Sequence, residues 1–137
     1  DVVFLADCLS SRETLDKYQI GFVYDVDDYL KTLEQVKTME AQWFIPSHAA
    51  ATEDIAPLAQ ANIDKVQEIA AKILSLCAAP QTFETVLQQL FAAYGLTMNF
   101  EQYVLVGSTV RSYLSWLKDK GDLRVAFENN LLLWERV

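Results

Sequence analysis

The sequence predicts an α/β segment followed by a mainly α unit that closes on a β-hairpin. Two short apolar runs, Val2–Ala6 and Trp43–Pro46, each end at a polar tip and are separated by a stretch with apolar residues every three to four positions. Beyond Pro80 the pattern changes to helical runs punctuated by Gly95 and Gly121, then to two short strand-like runs on either side of Asn129-Asn130.

Val2–Ala6 is uninterrupted and rich in β-branched residues, the pattern of a strand buried on both faces, and it delivers Asp7 at its end. Asp1 is not Met and a full strand signal follows it at once, so the chain is expected to begin in the middle of a longer fold. Ser10-Ser11-Arg12-Glu13 has capping-box spacing and predicts a short helical turn, with residues 18–24 irregular or weakly extended. Over residues 25–39, Val26, Leu30, Leu33, Val36 and Met39 form one stripe behind an acidic first turn, which predicts an amphipathic helix. Trp43–Pro46 reads as a second strand; Pro46 cannot donate to a central ladder and places Ser47-His48 in a loop. Thr52 is positioned to cap the next helix, with Glu53 and Asp54 in its first turn and Ile63, Val66, Ile69, Ile73 and Leu76 along its stripe to about Ala78.

After Pro80, residues Phe83, Val86, Leu87, Leu90 and Phe91 mark a helix that Gly95 ends. Val110, Tyr113, Leu114 and Leu117 mark another that ends at Gly121, with residues 100–106 in the same helical region. Residues 123–127 and 131–135 face each other across two asparagines, which tolerate the positive φ of a tight hairpin. Helix, helix, helix and hairpin is the order of a winged helix. Two domains are therefore expected, residues 1–79 and 80–137, with the long helix over about 53–78 open to being shared.

The 137 residues are 52% hydrophobic and 22% charged, an ordinary globular balance that argues against disorder. No run reaches the roughly 18 apolar residues of a membrane span, so no membrane association is expected. A net charge of −8 disfavours nonspecific attraction to nucleic acid or anionic membranes. The excess is uneven, with 6 basic and 13 acidic side chains in residues 1–79 against 5 and 6 in residues 80–137. Cys8 and Cys77 are the two cysteines, no C-x-x-C pair exists, and two buried thiols in a reducing, cytoplasmic setting fit best.

His48 is the single histidine, whereas zinc centres draw three or four ligands from His, Cys and carboxylates. On composition alone a lone histidine after a strand reads as a loop residue. What points to chemistry is the repetition of one device: an apolar strand delivering Asp7, then a second delivering Pro46-Ser47-His48. The segment Val3-Phe4-Leu5-Ala6-Asp7-Cys8-Leu9 resembles the part of the metallo-β-lactamase superfamily in which a strand ends in Gly-Asp. Trp43-Phe44-Ile45-Pro46-Ser47-His48-Ala49 resembles that family's closing segment, Pro-Gly-His-Gly or Pro-Ser-His-Gly. The resemblance implies the C-terminal portion of an αββα fold, with Asp7 bridging two metal ions and His48 completing one of them. A carboxylate has two oxygens and can span two cations, while a neutral imidazole offers one directional nitrogen.

Ala6 and Ala49 stand where the family commonly has glycine, so the backbone turns there are expected to differ. The family's His-x-His-x-Asp-His motif and its further histidine are absent from the chain. The resemblance therefore implies a longer protein that uses two zinc ions to activate water against an ester, thioester, amide or phosphate substrate. The chain alone is expected to bind zinc weakly and to hydrolyse nothing.

Residues 108–117, Gly121 and the hairpin to Trp134 resemble the winged helix appended to one branch of that superfamily. Arg111, Lys118 and Arg124 form a small basic set with Lys120, offset by Asp119, Asp122 and Glu128, so no basic stripe for nucleic acid is expected. Trp43 and Trp134 read as packing residues; Trp116 falls off the apolar stripe and joins Arg111, Lys118 and Arg124 as a candidate contact surface. The competing reading is a winged-helix binding or dimerisation module without catalytic activity. In either case strands ending at Asp7 and Ile45 without sheet neighbours should self-associate or pair with an upstream part of the fold.

Overall fold

The computed structural model describes residues 1–137. In chain order the elements are β1 (Val2–Ala6), α1 (Arg12–Tyr18), α2 (Val26–Lys37), β2 (Trp43–Pro46), α3 (Ala56–Leu76), α4 (Phe83–Ala93), α5 (Phe100–Asp119), β3 (Leu123–Glu128) and β4 (Leu131–Arg136). The chain divides into two compact units: Asp1–Gln19 with Asp27–Gln67, and Ile20–Val26 with Glu68–Val137. The division falls inside α3. No helix is long and apolar enough to cross a membrane.

In the first unit β1 and β2 pair in parallel, with Val2, Val3 and Phe4 opposite Trp43, Phe44 and Ile45. The register then shifts between Phe4 and Ala6, so that Ala6 faces Pro46. Ser11 caps α1 by accepting the Thr14 N–H on its hydroxyl at 3.1 Å. Leu33 and Val36 of α2 join Leu5, Leu9, Phe44, Ile55, Ala59 and Ile63 in one apolar core. Burying a side chain such as Leu33 completely is worth about 1.5–3 kcal/mol, and this stripe is what turns a period of 3.6 into a docked helix.

Three expectations need correction here. β1 is not buried on both faces: Leu5 is its one buried residue and Phe4 is 75% exposed, because a single face meets the core. Met39 and Trp43 are likewise exposed rather than packed, the first because α2 ends at Lys37. Thr52 does not cap α3; its backbone exchanges two hydrogen bonds with Phe44, at 2.8 and 3.0 Å, so the chain doubles back beside β2. Asp54 serves the helix start instead, its Oδ1 accepting the Ala56 N–H at 3.1 Å.

In the second unit, Thr82 and Asn99 cap α4 and α5 by accepting the N–H of Thr85 and Gln102. Residues 100–106 and 110–117 form one continuous helix. Both helices end at left-handed glycines, φ 65° at Gly95 and 86° at Gly121. There the next N–H reaches back five residues, Leu96 to the Phe91 carbonyl and Asp122 to that of Leu117, each at 2.9 Å. At Gly107 an added Cβ would lie 3.5 Å from the Phe83 ring and 3.7 Å from Leu87, ordinary contact distances, so α5 meets α4 here without needing the glycine. Thr109, fully buried, accepts the Val23 N–H on its hydroxyl at 3.1 Å, and Ser112 donates to the Tyr24 carbonyl at 2.7 Å. Those two hydroxyls fasten residues 20–26 along α5.

β3 and β4 form an antiparallel hairpin with Glu128 opposite Leu131, and Asn129 and Asn130 both have positive φ, 52° and 64°. This is the two-residue turn whose twist matches the strands. On the far side of β4, Trp134 exchanges hydrogen bonds of 2.9 and 2.7 Å with Gln81, and the Arg136 N–H donates to the Cys77 carbonyl at 2.8 Å.

Candidate metal centre

Asp7 and His48 leave the ends of two hydrogen-bonded strands. The backbone between them is cross-tied: the Ser47 N–H donates to the Ala6 carbonyl at 2.9 Å, and the Ser11 N–H donates to the His48 carbonyl at 3.3 Å. Ala6 adopts φ 48°, a left-handed conformation that costs an alanine about 1–2 kcal/mol and turns the chain sharply before Asp7. With both tips so placed, His48 Nε2 lies 2.9 Å from Asp7 Oδ1. The side chains are 61% and 80% exposed, respectively, so the pair stands open to solvent.

A residue that the sequence reading passed over holds this arrangement from below. Asn62 on α3 is 2% exposed. Its Oδ1 accepts the Ser10 N–H at 2.9 Å, and its Nδ2 donates to the Ser10 and Leu58 carbonyls at 2.8 and 2.9 Å. One amide thus satisfies both backbone groups of Ser10, three residues beyond Asp7 and one before the Ser11 N–H that binds His48. The available signal was periodic: Asn62 lies among Ala59, Ile63 and Val66, a polar residue on the buried face of α3. Such a residue must find partners.

Cys8 adjoins the pair. Burial, with a smaller contribution from the charge of Asp7, pushes its thiol above the ordinary value against the opposing effect of a backbone hydrogen bond. Burial likewise moves the Tyr29 hydroxyl up to about 12.

The donor set fits two ligands of a zinc centre in type and separation. Two ligand atoms about 2.0–2.1 Å from one tetrahedral zinc stand about 3.3 Å apart, a few tenths beyond the observed contact. It does not fit a complete centre, because no three His, Cys, Asp or Glu side chains come together anywhere in the structure. The remaining ligands of any such centre have to come from outside these residues.

The four contact-surface candidates lie in the second unit. The Arg111 guanidinium sits over the Phe83 ring, 3.7 Å from its centroid, and Lys120 Nζ sits 4.2 Å over Trp116. Arg124 makes two hydrogen bonds to Glu135 Oε2, at 3.0 and 3.2 Å, while Lys118 is exposed on α5. Lys120 is paired with Asp122 at 3.3 Å. Two of these cations, Arg124 and Lys120, thus have carboxylates beside them within the unit. An open cleft of about 490 Å³ runs between α4 and the start of α5, lined by Leu87, Phe91, Met98 and Tyr103 among others, with the Tyr103 hydroxyl donating to Glu84. That hydrogen bond raises the Tyr103 hydroxyl above its ordinary range.

No family model matches the chain, and no curated protein matches it in sequence. Solved structures do. A β-lactamase domain protein from Burkholderia ambifaria superposes with a TM-score of 0.78 at 14% identity, over 99% of this chain and 41% of its own. A metallo-β-lactamase family protein from Thermus thermophilus gives 0.72 at 14% identity, over 99% and 42%. The chain has the fold of part of these proteins and spans about two fifths of their length.

Proposed function

We propose that the chain is the C-terminal part of a metal-dependent hydrolase of the metallo-β-lactamase superfamily, in which Asp7 and His48 are two ligands of a dinuclear zinc centre. One observation carries the reading: a carboxylate and an imidazole meet at 2.9 Å on the tips of adjacent parallel strands, in a chain with this fold. Strand ends restrict a ligand's orientation, as a preorganised centre requires. A carboxylate has two oxygens, so Asp7 would be able to serve two cations, while His48 would offer one nitrogen to a single ion. When bound, the metals supply Lewis-acid activation of water toward an ester, thioester, amide or phosphate group of a small-molecule substrate.

The other ligands, a His-x-His-x-Asp-His motif and one further histidine, belong to a preceding part of the protein. The free edge of β1 and the exposed Phe4 suit pairing with that part or with another copy. The three helices and the hairpin of the second unit form a winged helix, with Arg111, Trp116, Lys118 and Arg124 available for a subunit contact. Two free thiols fit a cytoplasmic setting.

The coding sequence upstream of Asp1 and the metal content of the protein it encodes test this. The motif should be present, and the encoded protein should carry about two zinc ions per chain. Asp7→Ala or His48→Ala should lower that content and reduce metal affinity by about 10–100-fold or more. A reading frame without the motif, or zinc content indifferent to both substitutions, refutes the assignment.

A further inference from the structure

The two outer edges of the β3–β4 hairpin are treated differently. On β4, Trp134 gives both its backbone groups to Gln81 and Arg136 gives its N–H to Cys77, so that edge is covered by the chain's own backbone. On β3 no strand follows, since the sheet has two members. The direction of the free groups is fixed by the same contacts. Trp134 faces Val125 in the register, and because its groups point away from β3, the pair exchanges no hydrogen bonds. Val125 must then point its own N–H and carbonyl outward, and Phe127, two residues on, does the same. The Phe127 side chain is 74% exposed.

We propose that β3 is a self-complementary edge through which two copies of this chain pair antiparallel about a two-fold axis at Ala126. The registers that an antiparallel edge can adopt differ sharply in what they bring together. Centred on Arg124 or on Glu128, like charges face each other. Centred on Val125 or Phe127, the charges have no partners. Centred on Ala126, Arg124 faces Glu128 of the second copy, and Val125 faces its Phe127 as a hydrogen-bonded pair, so every outward group of those two residues is used. The same operation repeats both contacts, as a two-fold axis requires. Arg124 is already held on that face by Glu135, which presets its side chain for a second carboxylate. The joint also covers the exposed Phe127 ring with the Val125 side chain of the second copy. A strand joint of this length lies at the small end of interface sizes, so the dimer should be weak and concentration-dependent. The inference is independent of the role given to Asp7 and His48.

Charge exchange tests it on the full chain by sedimentation velocity at rising concentration. The unmodified chain should pass from monomer to dimer. Glu128→Arg alone and Arg124→Glu alone should each dimerise about tenfold or more weakly, because each homodimer now apposes like charges. Mixed in equal amounts the two variants should form a heterodimer, since the paired edge of one then carries two arginines and that of the other two glutamates, each arginine opposite a glutamate. Phe127→Pro should abolish association while leaving the hairpin folded, because it removes an N–H that makes no bond within the chain. In the unmodified dimer, amide exchange should slow at Val125 and Phe127 alone among β3 residues. A chain that stays monomeric, a mixture that fails to associate, or a dimer whose Val125 and Phe127 amides exchange as in the monomer overturns the proposal; the last result would move the contact to another surface such as β1.

Discussion

At Ala6 a single torsion sets where a carboxylate points. Its φ of 48° is strained for any residue with a Cβ, and glycine would adopt it freely at some cost in unfolded-state entropy. Ala6→Gly should therefore stabilise the chain by about 0.5–1 kcal/mol in urea denaturation. A loss of stability would show that the turn is not under strain. Asn62 is the opposite case, a polar side chain whose removal strands others. Asn62→Leu would leave the partly buried Ser10 N–H and carbonyl without their partner and should cost about 2–4 kcal/mol in the same experiment. The Asp7–His48 pair, by contrast, is too exposed to hold the fold: either alanine substitution should change stability by less than about 1 kcal/mol. The four substitutions together separate what shapes the site from what occupies it.

Elements were legible in the sequence to the extent that their signals were local. The α2 stripe, the α4 stripe and the hairpin about Asn129-Asn130 are each written in a few consecutive residues, and each forms where the spacing places it except that α2 stops at Lys37, short of Met39. Gly95 and Gly121 end their helices because a left-handed residue closes the last turn, a demand the neighbouring sequence makes plain. Gly121→Ala should cost about 1 kcal/mol by thermal or urea unfolding; nothing lies within 4 Å of the added methyl, so the cost is one of torsion and not of crowding. What stayed hidden was pairing between distant segments. Thr52 has the chemistry of a helix cap, yet its backbone is claimed by Phe44, and a tertiary bridge overrides a local preference. The attachment of residues 20–26 to α5 through Thr109 and Ser112 spans more than eighty positions and has no local signature. The candidate site was half legible for the same reason: the types and order of Asp7 and His48 are visible in the chain, whereas Asn62 gains its meaning from a loop fifty residues away.

Across the whole molecule, alkaline pH should be the limiting condition, and each unit has its own sensor. Burial pushes the Cys77 thiol from 9.0 up to about 11 and the Tyr29 hydroxyl from 10.0 up to about 12. Both remain protonated in the native chain after the unfolded chain has released its protons, so the stability they confer is complete below about pH 9 and is lost as pH rises through 11 and 12. For Cys77 the loss should approach about 2–3 kcal/mol. Cys77→Ala should flatten stability against pH between about 9 and 11, even though the variant starts lower from its cavity; an unchanged slope would assign the alkaline loss elsewhere. The tryptophans make the two units separately observable. Trp134 is 9% exposed and its indole Nε1 has no hydrogen-bond partner, whereas Trp43 in the first unit is 44% exposed. Fluorescence from Trp134 should therefore lie at shorter wavelength than that from Trp43. Chains retaining one indole or the other would give two melting curves, whose coincidence or separation tells whether the molecule unfolds in one cooperative step or in two.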